Sequence, residues 1–265
     1  ENQVSNIFSY NQFFDKNRIL HNPLINKYGL FIRNAFIETH NFVPMWPDQK
    51  KFALAVTHDV DHPEIHRIYD SIRFFKNLND DMRAELNNKN SFWKFEDWMS
   101  LESSVGIKSA FYFCARKGNI FDYLLFRLGF NRPPDPIYDI NNQQFRKMFS
   151  LIEKNGFEVG LHASYNSYIS ESQINYEKSK LEKHIQRKIS GVRHHYWHLN
   201  PKNPLQTILK HQKLGLSYDA SLAFPNSTGF RNSISTPFRL FDSKGKQTSE
   251  IFELPTSLMD DHLFG

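Results

Sequence analysis

The chain has 265 residues, 40% hydrophobic and 15% aromatic, with 33 Lys and Arg against 28 Asp and Glu for a formal net charge of +5. That length suits one α/β barrel-sized domain or two smaller ones, and the 25 Phe residues supply ample material for a core. A single cysteine, Cys114, excludes a disulfide scaffold and a cysteine-built zinc site, and no apolar run reaches membrane-spanning length.

The basic residues are spread along the chain beside acids, as in YEKSKLEKHIQRK. This pattern predicts solvated helix faces and no nucleic-acid partner. There is no low-complexity tract and no repeat at solenoid spacing. With no cysteine pair and no secretory signal after Glu1, the expected location is the cytoplasm.

Residues 1–44, rich in Asn and aromatics and without clean periodicity, read as an N-terminal extension or cap, ended by Pro44, Met45, Trp46 and Pro47. The first strand is FALAVTHDVD, Phe52 to Asp61. Alternate side chains of a strand share a face, so Ala53, Ala55, Thr57, Asp59 and Asp61 point one way and Phe52, Leu54, Val56, His58 and Val60 the other. Two acids at the end of one face repel each other unless a cation or a shared proton intervenes. Ile65, Ile68, Tyr69 and Ile72 then fall at helical spacing.

SAFYFC (109–114) is the second strand, with Cys114 as a buried free thiol. The Pro-rich, aromatic stretch 117–140 follows it and is expected over the C-terminal mouth of the strands. Phe145, Met148, Phe149 and Ile152 make a helical stripe closed by Gly156. FEVGLH (157–162) is the third strand, and Ser170 with Gln173 predicts a capping box for a helix through about Arg187. ISGVRHHY (189–196) is the fourth strand, and Leu205, Ile208 and Leu209 mark a helix. LSYDASL (216–222) and EIFELP (250–255) are the fifth and sixth strands. Strands alternating with helices predict a parallel sheet, and six of them favour a full or partial barrel.

The same alternation puts Glu158, Gly160 and His162 on the inner face of the third strand, and Gly191, Arg193 and His195 on that of the fourth. Asp59, Asp61, His162, Arg193 and His195 therefore converge from three strands. Asp, His and His form an ordinary ligand set for zinc or a similar divalent cation. His58 and His194 fall on the outer faces as structural residues, while His62 and His66 follow the first strand within reach of the mouth.

On these residues the chain resembles the polysaccharide deacetylases, carbohydrate esterases of the chitooligosaccharide-deacetylase type. THDVD at 57–61 resembles their T-F-D-D-G motif, GLHASYN at 160–166 their G-x-H-[ST]-x-x-H, and RHHY at 193–196 their R-x-P-Y. The resemblance runs from about Pro47 onward and is nearest a bacterial branch reading WP…THDVD…GLHxS…RxHY, linked to surface-glycan or lipopolysaccharide assembly. It implies an irregular (β/α)7 TIM-like barrel over 45–265, here short of its last strand, and a metal-dependent hydrolase that removes N-acetyl groups from an amino sugar.

By that resemblance Asp59 is the general base, Arg193 holds it, and the Tyr196 backbone N–H receives the oxyanion. Val60 stands where the family has its metal-binding Asp, so that role passes to Asp61. Asn166 stands where the family has its second His, and His195 where it has Pro. The expected ligands are Asp61, His162 and His195, with Asn166 as the alternative to His195. Asp219 in SYDAS resembles the family's fourth motif, and Arg231 is a further candidate for that polar network. The family's late His acid has no counterpart in these residues: either the sequence stops short of it or the acid comes from elsewhere, such as His262. Alternatives are a metal-independent amidohydrolase on the same scaffold, allantoinase-like, and a catalytically decayed glycan-binding module.

Overall fold

The computed structural model describes residues 16, 19–36, 46–65, 70–71, 87, 92–130, 133–224, 226–243 and 245–264. Most of the 1–44 extension, most of the helix expected over 65–72 and His66 lie outside the described residues. Among the described residues of 1–44, α1 spans Leu24–Ala35. The chain divides into two compact units, Val56–Tyr196 and a second made of Glu1–Ala55 with Trp197–Gly265.

The Val56–Tyr196 unit is built on four parallel strands in chain order: β1 (Thr57–Val60), β2 (Ala110–Phe113), β3 (Glu158–Ala163) and β4 (Gly191–His194). Register pairs Asp59 with Tyr112, Tyr112 with Gly160, and His162 with Arg193. Among the described residues four helices accompany them: α2 (Phe95–Ser104), α3 (Ile120–Arg127), α4 (Gln143–Lys154) and α5 (Glu171–Ile185). The core lies between β2 and its helices. Phe111 and Phe113 leave one face of β2 and meet Phe95 of α2 at ring-centroid distances of 5.7 Å, while Phe113 meets Phe149 of α4 at 4.8 Å. Each such buried ring contributes about 1.5–3 kcal/mol through removal from water. Tyr138 OH accepts the Cys114 N–H at 2.6 Å, and burial pushes the thiol of Cys114 well above its usual range, as expected of an inert core cysteine.

In the other unit, α6 (Pro204–Lys213) precedes β5 (Tyr218–Asp219), which pairs in parallel with β8 (Phe252–Glu253). β6 (Phe241–Asp242) and β7 (Gln247–Thr248) form a small antiparallel ribbon, and α7 (Asp261–Phe264) follows. The alternating α/β architecture and its parallel pairing match expectation. Among the described residues, no helix is long and apolar enough to cross a membrane.

Three local expectations are revised. The first strand begins at Thr57, because pairing with β2 starts at Ala110, and Phe52 and Leu54 stay 76% and 70% exposed with no apolar face to bury them. The 117–140 stretch, to which the sequence assigns no element, contains a helix: Asn119 caps α3 by accepting the Phe121 N–H, and Gly129 at φ 80° ends it. Ser170 does begin α5 but makes no capping bond. Its hydroxyl pairs with Ser172, and Gln173 is drawn away to the buried Glu177.

Candidate metal and hydrolytic site

β1 ends by placing its two acids where alternation predicts. Asp59 Oδ1 accepts from Arg193 Nη1 at 2.9 Å, and the same Nη1 donates to Thr57 Oγ1 at 2.9 Å. Thr57 and Asp59 thus share a face and one cation from β4. His58 takes the other face, stacked on Phe111 at 4.6 Å and bonded to Glu102 at 2.7 Å. Arg193 is itself supported from below, with its guanidinium 4.8 Å above the Tyr112 ring. Tyr112 fits there because residue 160 is glycine: a Cβ at Gly160 would sit 2.6 Å from the tyrosine ring. The short pattern EVGLH therefore makes room for an aromatic floor before it presents His162.

Asp61, His162 and His195 come together as the one His/Cys/Asp/Glu group among the described residues with metal-binding geometry, their ligating atoms all within 4.8 Å of one another. Asp61 Oδ1 lies 3.2 Å from His162 Nε2 and 3.8 Å from His195 Nε2. Two ligands on one tetrahedral zinc stand about 3.3 Å apart at ordinary bond lengths, so the spacing suits such an ion. The two histidines are 1% and 8% exposed and Asp61 50%, which opens the cluster on the aspartate side.

The buried chemistry also fits a cation. His162 Nδ1 is engaged by the Arg193 carbonyl at 3.0 Å, which directs Nε2 into the cluster. That nitrogen is buried and has no hydrogen bond; its approach to Asp61 is close but off the hydrogen-bonding direction. An orphaned ring nitrogen beside a carboxylate, with its other nitrogen tethered to an acceptor, is the usual setting of a metal-binding histidine.

Electrostatics keep Asp61 and His162 charged when no metal is bound. Desolvation, partial for a side chain half open to solvent, pushes Asp61 up, but the close approach and charge of His162, with His195 and His62 behind it, bring its pKa to about 2. Burial alone would lower His162, yet the charge of Asp59, then Asp61, and the Arg193 carbonyl raise it to about 9.

His195 lies just past β4, in a 3-10 turn rather than in the strand, and still reaches the cluster. Its Nδ1 is 3.3 Å from Asp135 Oδ1, a residue that the motif reading did not single out. Asp135 also accepts the Tyr165 N–H at 2.7 Å. Burial pushes the Asp135 carboxyl up, but these two donors outweigh it and hold it below its ordinary range. The one sequence signal was its place in the Pro-rich stretch expected over the mouth. Tyr196 follows with φ 54°, ψ 26°, a left-handed conformation rare for a non-glycine residue, and its side chain is exposed.

The other candidates make different contacts. Asn166 opens a 3-10 turn after β3, and its carbonyl accepts the Ile169 N–H; the cluster is assembled without it. His62 bonds to the buried Asp70 at 2.6 Å, and His194 is buried with Ser167 at 3.5 Å. Asp219 and Arg231 belong to the other unit. There Asp219, fully buried, lies 3.0 Å from His211 and accepts from Ser221. Opposite it in β8, burial and the Asp219 charge push Glu253 well above its usual range. Arg231 donates to the Ala223 carbonyl at 2.9 Å. His262 is on α7, also in that unit.

No family model and no curated protein matches the chain. Among solved structures it is similar to a candidate polysaccharide deacetylase from Mycobacterium smegmatis, with a TM-score of 0.43 and 17% identity. The match covers 82% of this chain and 63% of that one, so this chain spans less than two thirds of that protein's length. At that level the likeness carries no weight for assigning a reaction, which rests instead on the site's own residues.

Proposed function

We propose that the chain is a metal-dependent hydrolase that removes N-acetyl groups from an amino sugar of a bacterial surface polysaccharide or lipopolysaccharide precursor. Asp61, His162 and His195 would hold the metal, with zinc the best fit to one carboxylate and two imidazoles. The observation that carries the reading is this Asp, His and His cluster, with the buried His162 Nε2 lacking a hydrogen bond, beside a second carboxylate, Asp59, already gripped by an arginine. The (β/α)7 barrel is part of the same proposal, supported by the parallel pairing of β1 through β4 and of β5 with β8.

Cleaving an unactivated amide requires a stronger nucleophile than free water and a polarised carbonyl, and a divalent cation supplies both when bound. The chain's own groups do the rest. Asp59 removes a proton from the attacking water as the O–C bond forms, and Arg193 holds that carboxylate in line and tunes its charge. The Tyr196 backbone N–H, set by its left-handed turn, donates to the oxyanion. As the C–N bond breaks, the proton held by Asp59 passes to the departing nitrogen. The products are acetate and the free amine.

The test is acetate release from N-acetylglucosamine oligomers by zinc-loaded protein. Asp59→Asn is expected to lower turnover by about 10²–10⁴-fold while zinc content stays at the wild-type level. Asp61→Ala is expected to lose both. Turnover that survives complete removal of metal, or zinc-loaded protein inert on every N-acetylated sugar tried, would refute the reading.

A further inference from the structure

We infer that Asp135 is the positioning residue for His195, fixing the imidazole so that Nε2 faces the cation; this rests on the metal reading above. The two side chains are 9% and 8% exposed, so neither has a solvent partner to spare. A carboxylate oxygen at Nδ1 keeps the proton there and leaves the lone pair on Nε2, the atom 3.8 Å from Asp61. Without that acceptor either tautomer is available and the ring is free to turn. For His162 the equivalent acceptor is the Arg193 backbone carbonyl, which no side-chain substitution removes. Asp135 is thus the side chain through which ligand orientation can be altered without touching a ligand.

Asp135 is held in place from two directions. Its Oδ1 also takes the Tyr165 N–H, three residues beyond His162. Its backbone rests on Gly118, where an added Cβ would lie 1.9 Å from the Asp135 carbonyl oxygen, and the Gly118 N–H donates to the Pro136 carbonyl at 2.6 Å. One carboxylate thereby ties the segment after β2, the loop after β3 and the end of β4 to a common geometry.

The experiment measures zinc and cobalt(II) dissociation constants by chelator competition, with the cobalt absorption spectrum, for wild type, Asp135→Ala, Asp135→Asn and Glu182→Gln. Asp135→Ala is expected to weaken zinc binding about 10–100-fold and to change the cobalt spectrum. Asp135→Asn retains an oxygen for the Tyr165 N–H and keeps the volume, so it folds, and it should show a smaller loss. Glu182→Gln removes a buried carboxylate bonded to Lys178 on α5 and should match wild type. If wild type binds metal and both Asp135 variants bind it equally with unchanged spectra, the positioning role is overturned while the metal site stands. If wild type binds neither ion, the metal reading fails and this inference with it.

Discussion

At the scale of single residues, Asp61 and His162 each favour the charged form of the other. His162 at about 9 is protonated at neutral pH in the metal-free protein, so a cation binding through Nε2 must displace that proton. Calorimetry at pH 7 in buffers of differing ionisation enthalpy should therefore show release of about one proton per metal, and the affinity should climb roughly tenfold per pH unit toward about 9. The same shifts set the pH behaviour of the metal-free fold. His162 is raised from 6.5, so its contribution is complete below that value and is lost as pH rises through about 9. Asp61 is lowered from 3.8, so its contribution is complete above that value and is lost as pH falls through about 2. Metal-free protein is expected to draw most from the pair between pH 3.8 and 6.5, as chemical denaturation across pH would show.

At the scale of elements, strand alternation was the readable signal. It placed Thr57 and Asp59 on one face of β1, His58 on the other, and His162 and Arg193 on the facing sides of β3 and β4, because period-two geometry needs no knowledge of partners. What could not be read were the contacts made by residues outside the alternating strands. Asp135 sits 60 residues from His195 in a segment without periodicity. The capping box failed because a buried glutamate competed for Gln173. The short β6–β7 ribbon has too few residues to show a pattern. Gly160 belongs between these cases: its position on the inner face was legible, but the tyrosine filling its space was not. Gly160→Ala is expected to push Tyr112 from beneath Arg193, costing about 1–3 kcal/mol by overpacking. Turnover should fall more than zinc affinity does, a split that urea denaturation, acetate release and chelator competition on one sample would expose.

At the scale of the molecule, the proposed base, its arginine, the three proposed ligands and Asp135 all belong to the Val56–Tyr196 unit. That unit's secondary structure is local, with helices of 8 to 15 residues between its strands. Its site is the opposite. The Arg193–Asp59 contact joins residues 134 apart in sequence, from the first strand of the unit to the last. Closing a segment that long costs chain entropy before any contact rewards it, and non-local pairing is what slows folding. The ion pair is therefore a late event: a chain diluted from denaturant should recover its far-ultraviolet helix signal well before it can capture cobalt. If the two signals returned together, the strands would have found one another early and the arginine would be a first contact instead of a final latch. Seen in time rather than in space, the side chain that holds the base also reports when the sheet has finished assembling.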